Sequence, residues 1–193
     1  MGQRLRTFIA VDLGKAIRDR AVALQETLAR AGADVKWVEP ENLHVTLLFL
    51  GEVDAREVPR VCQLVADATQ QHPAFPMSVE TVGCFPNARR PRVLWVGVGQ
   101  GTQELCALHD DLEGPLTQLG YRREERRYTP HITLGRVKSD RPPDSLAVAL
   151  AKHAGWKGGE INVRAIQVMS SELTPQGPNY TVLSRARLGG SEE

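Results

Sequence analysis

Two phrases in this chain match each other 87 residues apart. "ENLHVTLLFLG" (41–51) and "YTPHITLGRV" (128–137) each carry a histidine and a threonine two positions apart in an otherwise apolar run. Their surroundings correspond as well: Phe8 precedes Val93 by 85 residues, and Val79 precedes Ile166 by 87. Matched offsets of this kind mark an internal duplication. They restrict the chain to folds built from two related halves, about 4–88 and 89–188.

Periodicity gives both halves the same order of elements. The first half reads as a strand at 6–13, a helix at 14–32, a short segment led by Trp37, a strand at 43–51, a helix at 54–71 with Pro59 in its first turn, and a strand at 75–86. The second half reads as a strand at 91–98, a helix at 102–120 that Gly114 and Pro115 kink or split, a strand at 128–137, a helix at 145–155 and a strand at 161–173. A last strand at 179–188 precedes a "GGSEE" tail with no packing capacity. Strands that alternate with period two have one covered face. The expectation is an α+β fold in a single bilobed domain over residues 1–193, with antiparallel sheets flanked by helices and a cleft between two similar lobes.

Composition narrows the function classes. At 41% hydrophobic and 24% charged residues, the chain has the makings of a folded core. A net charge of +1 argues against a coat for long polyanions and is compatible with one bound phosphate group. Cys62, Cys84 and Cys106 form no CxxC pair, so they read as small core hydrophobes rather than disulfide partners or zinc ligands. The opening "MGQRLRTFIAVDL" is too short in apolar length to be a signal peptide or a membrane span, and Arg6 stands where a myristoylation signal needs Ser or Thr. The expectation is a cytoplasmic monomer without a membrane partner. Neither GxGxxG nor GxxxxGK[ST] occurs, which leaves nucleotide binding through those loops without support.

In a strand, residues two apart share a face, so His44 with Thr46 and His131 with Thr133 each offer one imidazole and one hydroxyl to the same surface. Two imidazoles at a common cleft suit a reaction in which one proton leaves an attacking oxygen and another reaches a departing oxygen. Imidazole fits because it titrates near neutrality, and threonine hydroxyls can hold the nonbridging oxygens of a phosphoryl group between the two rings. No carboxylate or cysteine accompanies either histidine at ligand spacing, so no metal and no cofactor are expected. Arg136, three positions after Thr133, falls on the opposite face unless the chain turns at Gly135, and it reads equally as a phosphate contact or a solvated rim charge. Arg89, Arg90 and Arg92, like the run "RREERR" at 122–127, read mainly as solvated charge. Phe8, Trp37 and Phe49 read mainly as core packing, with stacking on a nucleobase as the alternative, and His72, His109 and His153 as surface residues.

The paired HxTx phrases "HVTL" (44–47) and "HITL" (131–134) resemble the 2H phosphoesterase superfamily. With "RTFIAVDL", "NLHVTLLFLGEV", "VGCFPNARRPRVLWVGV" and "RRYTPHITLGRV", the chain is similar to its LigT-type branch over about residues 4–188. That resemblance implies RNA 2',3'-cyclic phosphodiesterase activity acting on RNA ends or nucleotides and leaving a 2'-phosphomonoester, with reversible 2',5' RNA ligation as a secondary activity. It also implies His44 as proton donor, His131 as proton acceptor, and Thr46 and Thr133 as substrate-binding residues. The residues alone leave open which histidine is acid and which is base. They also leave open another 2H branch acting on 2',5' or 3',5' linkages, and an RNA-binding module without turnover.

Overall fold

A computed structural model of the chain describes residues 2–123, 125–175 and 177–189, so that 190–193 of the tail lie outside the described residues. Apolar spacing translates into burial in α1 (Gly14–Ala29), where Ile17, Ala21, Leu24 and Leu28 are at most 3% exposed. Helix α2 (Val58–Thr69) takes Pro59 in its first turn and buries Val61 and Val65. Helix α3 (Thr102–Gln118) runs unbroken through Pro115. Leu112 and Leu116 bury on either side of the proline, and that packing carries the helix past the missing N–H. Helix α4 spans Asp144–Lys152.

The strands are β1 (Arg4–Asp12), β2 (Val35–Trp37), β3 (His44–Asp54), β4 (Phe75–Phe85), β5 (Val93–Val98), β6 (His131–Val137), β7 (Lys157–Val163), β8 (Ala165–Thr174) and β9 (Gly177–Arg187). They form one continuous antiparallel sheet in the order β7-β4-β5-β6-β3-β1-β8-β9, with β2 added to β6. The two lobes, β3-β1-β8-β9 and β6-β5-β4-β7, therefore belong to one sheet and meet at β3 and β6. Each lobe takes its third strand from the other half of the sequence. Strand β8 lies beside β1, and β4 lies beside β5. The halves are interlocked rather than set side by side.

The single strand expected over 161–173 is two strands that part at Arg164 toward different lobes, β7 pairing with β4 and β8 with β1. The break shows in the sequence as a slip of phase. The buried residue Val163 is odd-numbered, whereas Ile166 and Val168 are even.

Strands β3 and β6 share a bulge at the same point of the repeat. In β3 the pairing with β1 passes from Leu48 to Thr46, leaving Leu47 extra, and in β6 the pairing with β5 passes from Gly135 to Thr133, leaving Leu134 extra. The extra residue reverses the alternation beyond it, so residues three apart come to share a face. Phe49 thereby joins Thr46, and Arg136 joins Thr133. Phe49 is 59% exposed and is not the core residue that its apolar run predicts. Phe8 is buried, as expected.

Gly135 serves a purpose other than the turn expected of it. A Cβ there would lie 2.7 Å from Cγ1 of Val35 and 3.0 Å from the Trp37 ring, so the glycine lets β2 close on β6. His109, expected on the surface, is 5% exposed. The three cysteines are free and half-buried, and burial pushes each thiol pKa up. Gly135→Val is expected to lower stability by about 1–3 kcal/mol in urea unfolding through overpacking against β2. An unchanged unfolding midpoint would show that β2 does not need the close approach.

Candidate active site

The seam between the lobes is a single ladder pair, Val45 opposite Ile132, with both side chains fully buried. An antiparallel register through that pair sets His44 level with Thr133 and Thr46 level with His131. The two histidines are then diagonal neighbours on one face, about 7–8 Å apart in a regular ladder, and the strands splay on both sides of the pair. The face opens into a cleft of about 230 Å3 that His44, Thr46, His131 and Thr133 line together with Arg136 and Phe49. All five residues singled out from the sequence are thus brought together. Arg136 arrives there through the bulge at Leu134.

Each imidazole is fixed in the same way. Nδ1 of His44 lies 2.7 Å from the carbonyl oxygen of Asn42, and Nδ1 of His131 lies 2.7 Å from that of Thr129. A carbonyl only accepts, so Nδ1 carries the hydrogen in both rings and Nε2 is left for chemistry. The Thr46 hydroxyl lies 2.9 Å from Nε2 of His44, so ring and hydroxyl address one point. Aromatic packing holds the rings in place. His44 sits 5.0 Å from the Phe8 ring and 5.6 Å from the Tyr180 ring, and His131 sits edge-on to Phe85 at 5.1 Å.

Burial lowers the pKa of His44. The Asn42 carbonyl and Asp12 oppose that shift, while Arg18 and the nearby His131 add to it. Burial therefore favours neutral His44, which accepts the Thr46 hydroxyl hydrogen.

Residues with no local sequence signal complete the frame. The carbonyl of Leu134, displaced by the bulge, accepts the Val38 N–H at 2.9 Å and the Gln25 side-chain amide at 2.8 Å. The same amide nitrogen reaches the Val38 carbonyl at 2.9 Å, so one buried side chain of α1 ties the bulge to the segment after β2. Tyr128 donates its hydroxyl to the Thr46 carbonyl at 2.9 Å, and its ring stacks on His109 at 4.4 Å. Burial pushes the Tyr128 phenol pKa up, which keeps it a donor. This bond crosses from the approach to β6 onto β3, bracing the seam beyond its one ladder pair. Lys36, Trp37 and Tyr180 also line the cleft. Arg92 is ion-paired with Asp140, and Arg123 with Glu113 at 2.9 Å. Among the described residues, no group of three or more His, Cys, Asp or Glu side chains is placed to hold a metal ion. None of their helices is long and apolar enough to cross a membrane.

Paired imidazoles and hydroxyls thus line the seam of one duplicated sheet, and similarity to known proteins makes the chain a phosphoesterase. The family model described as "LigT like Phosphoesterase" matches residues 11–95 and 96–180. The chain belongs to that family. It is 40% identical over 185 residues to an RNA 2',3'-cyclic phosphodiesterase of Methanothermobacter thermautotrophicus, covering 96% of this chain and 100% of the relative. It is 36% identical over 186 residues to the enzyme of the same description from Thermotoga maritima, covering 96% and 97% of the two chains. Among solved structures, a Thermus thermophilus protein superposes with a TM-score of 0.82 at 30% identity, covering 97% of this chain and 100% of that one. Escherichia coli LigT complexed with 3'-AMP superposes with a TM-score of 0.76 at 26% identity, covering 96% and 99%.

Gln25→Leu is expected to lower stability by about 1–3 kcal/mol in urea unfolding, because the buried Val38 and Leu134 carbonyls lose a donor. Gln63→Leu, on the exposed face of α2, is expected to stay within about 0.5 kcal/mol of the parent. Equal effects of the two changes would show that the bulge does not depend on Gln25.

Proposed function

We propose that this chain is an RNA 2',3'-cyclic phosphodiesterase that opens the cyclic phosphate to a 2'-phosphomonoester by acid–base catalysis from His44 and His131. The observation that carries the reading is the diagonal placement of two imidazoles, each anchored through Nδ1, around the hydroxyls of Thr46 and Thr133. The relatives' descriptions support the same substrate.

In this reading the cyclic phosphate sits between the two Nε2 atoms, with Thr46 and Thr133 donating to its nonbridging oxygens and Arg136 offsetting its charge. Nε2 of His131 takes a proton from water as the water oxygen bonds to phosphorus. The bond from phosphorus to the 3' oxygen breaks, and His44 gives its proton to that oxygen. Burial disfavours the protonated form of His44, and the bound anion reverses that preference by placing a negative charge within its reach. His44 thus becomes an acid when substrate arrives.

Phe49, exposed on the same face, and the guanidinium of Arg136 at the matching place in the other lobe offer flat surfaces for the terminal base. With a 5' hydroxyl in place of water, the same steps join two ends: His131 takes the hydroxyl proton as that oxygen bonds to phosphorus, the 3' oxygen leaves with the proton of His44, and the product is a 2',5' phosphodiester. The protein acts in this reading as a cytoplasmic monomer, one bilobed unit with repeat halves 4–88 and 89–188.

The test is turnover of 2',3'-cyclic nucleotides in EDTA, with the product isomer read by phosphorus NMR. The parent is expected to form the 2'-phosphate. His44→Ala and His131→Ala are each expected to lose about 10²–10⁴-fold in kcat while still binding the product. A 3'-phosphate product, loss of activity in EDTA, or turnover preserved in either variant would contradict the reading.

A further inference from the structure

The two lobes differ beside their motif threonines. Ala10 pairs with Thr46, and Trp95 pairs with Thr133 at the matching position. Trp95 fills the open face of its lobe. Its ring packs 5.1 Å from Phe85 and lies so close over Gly83 that a Cβ there would fall 2.3 Å from the indole. Ala10 fills nothing, and the first lobe keeps a groove of about 290 Å3 in the corresponding place.

Phe8, Met169 and the half-exposed Val182 give that groove an apolar and aromatic side, while Gln167, Arg18 and the carboxylates of Asp12 and Glu41 line its polar side, an arrangement that disfavours a phosphate. The groove shares Asn42, His44 and Tyr180 with the cleft, so the two form one surface that bends around the His44–Tyr180 pair. Arg18 is already paired with Asp12 through one terminal nitrogen, which cancels its charge. Its Nε is buried and has no hydrogen-bond partner among the described residues. A neutralised guanidinium with a spare donor suits an uncharged acceptor better than a phosphate. Apolar walls with a donor and an amide are what a nucleobase needs, its faces on the walls and its edge on the polar groups.

We propose that this groove binds the base of the nucleotide adjoining the cyclic end in the same RNA chain, with Arg18 Nε and Gln167 meeting its edge. This inference rests on the proposed activity. His44, the donor to the 3' oxygen, puts the terminal ribose on its own side of the phosphate, and the chain leaves that ribose toward the groove that His44 also lines. Water, or in ligation the 5' hydroxyl of a second RNA end, enters on the His131 side, where Trp95 closes the equivalent space. The enzyme is therefore selective for RNA ends over free cyclic mononucleotides.

The test compares kcat/KM for a 2',3'-cyclic mononucleotide with that for a dinucleotide ending in the same cyclic nucleotide, in the parent, Val182→Trp and Gln167→Ala. The parent is expected to prefer the dinucleotide by about tenfold or more, the scale of one stacked base. Val182→Trp, made at an exposed position so that the fold is kept, is expected to erase that preference, and Gln167→Ala to reduce it. Both variants are expected to leave mononucleotide turnover unchanged. Equal kcat/KM for the two substrates in the parent, or a preference that survives Val182→Trp, would overturn the inference while leaving the activity standing. Absence of mononucleotide and dinucleotide turnover in the parent would overturn the activity itself.

Discussion

The pairing of Val45 with Ile132 is the joint on which the rest of the molecule depends. It is the one ladder contact between β3 and β6, and it makes two lobes into one sheet. The same contact fixes which face each motif presents and sets each histidine level with the other motif's threonine. Both side chains are fully buried, so a slip by one residue would turn apolar groups into the cleft and imidazoles into the core. The site inherits its precision from that penalty. The Tyr128 hydroxyl on the Thr46 carbonyl and the strands exchanged between halves keep the joint from hinging.

Duplication supplies the symmetric part of the site, and departures from symmetry supply what makes it asymmetric in use. Leu47 and Leu134 bulge alike, so the residue two further on enters the cleft from each side, but it is Phe49 in one lobe and Arg136 in the other. One flank is apolar and aromatic, and its counterpart is cationic. Likewise Leu48 in one repeat corresponds to Gly135 in the other, and the glycine admits β2, which brings Lys36 and Trp37 to the cleft on that side only. Ala10 against Trp95 is the third difference, and it leaves open space in one lobe where the other is filled.

The two HxT pairs were legible in the sequence because strand geometry has a period of two and the phrase occurs twice in matching surroundings. Arg136 and Phe49 were harder, since a single extra residue reverses the face of everything beyond it. The trace of that bulge is the pair Leu47–Leu48, two successive buried residues where alternation would put one outside. Gln25 and Tyr128 had no readable signal, because what they bond are backbone carbonyls, which any sequence supplies, and those of Leu134 and Thr46 lie 109 and 82 residues away. The exchange of β4 and β8 between lobes was equally hidden. Strand pairing at long range is a property of the assembled sheet, whereas the phase slip between Val163 and Ile166 did record that one apolar run held two strands.

The most direct measurement is an NMR titration of the histidine side-chain nitrogens, with and without a nucleoside 2'-monophosphate. In the free protein His44 is expected to titrate below the ordinary histidine range, with the hydrogen of its neutral form on Nδ1, because burial there outweighs Asn42 and Asp12. On adding the phosphate, its pKa is expected to rise, and the Nε2 resonances of His44 and His131 are expected to shift together. A His44 that titrates at or above the ordinary range when free, or a phosphate that moves one ring and not the other, would contradict a shared site between the two imidazoles.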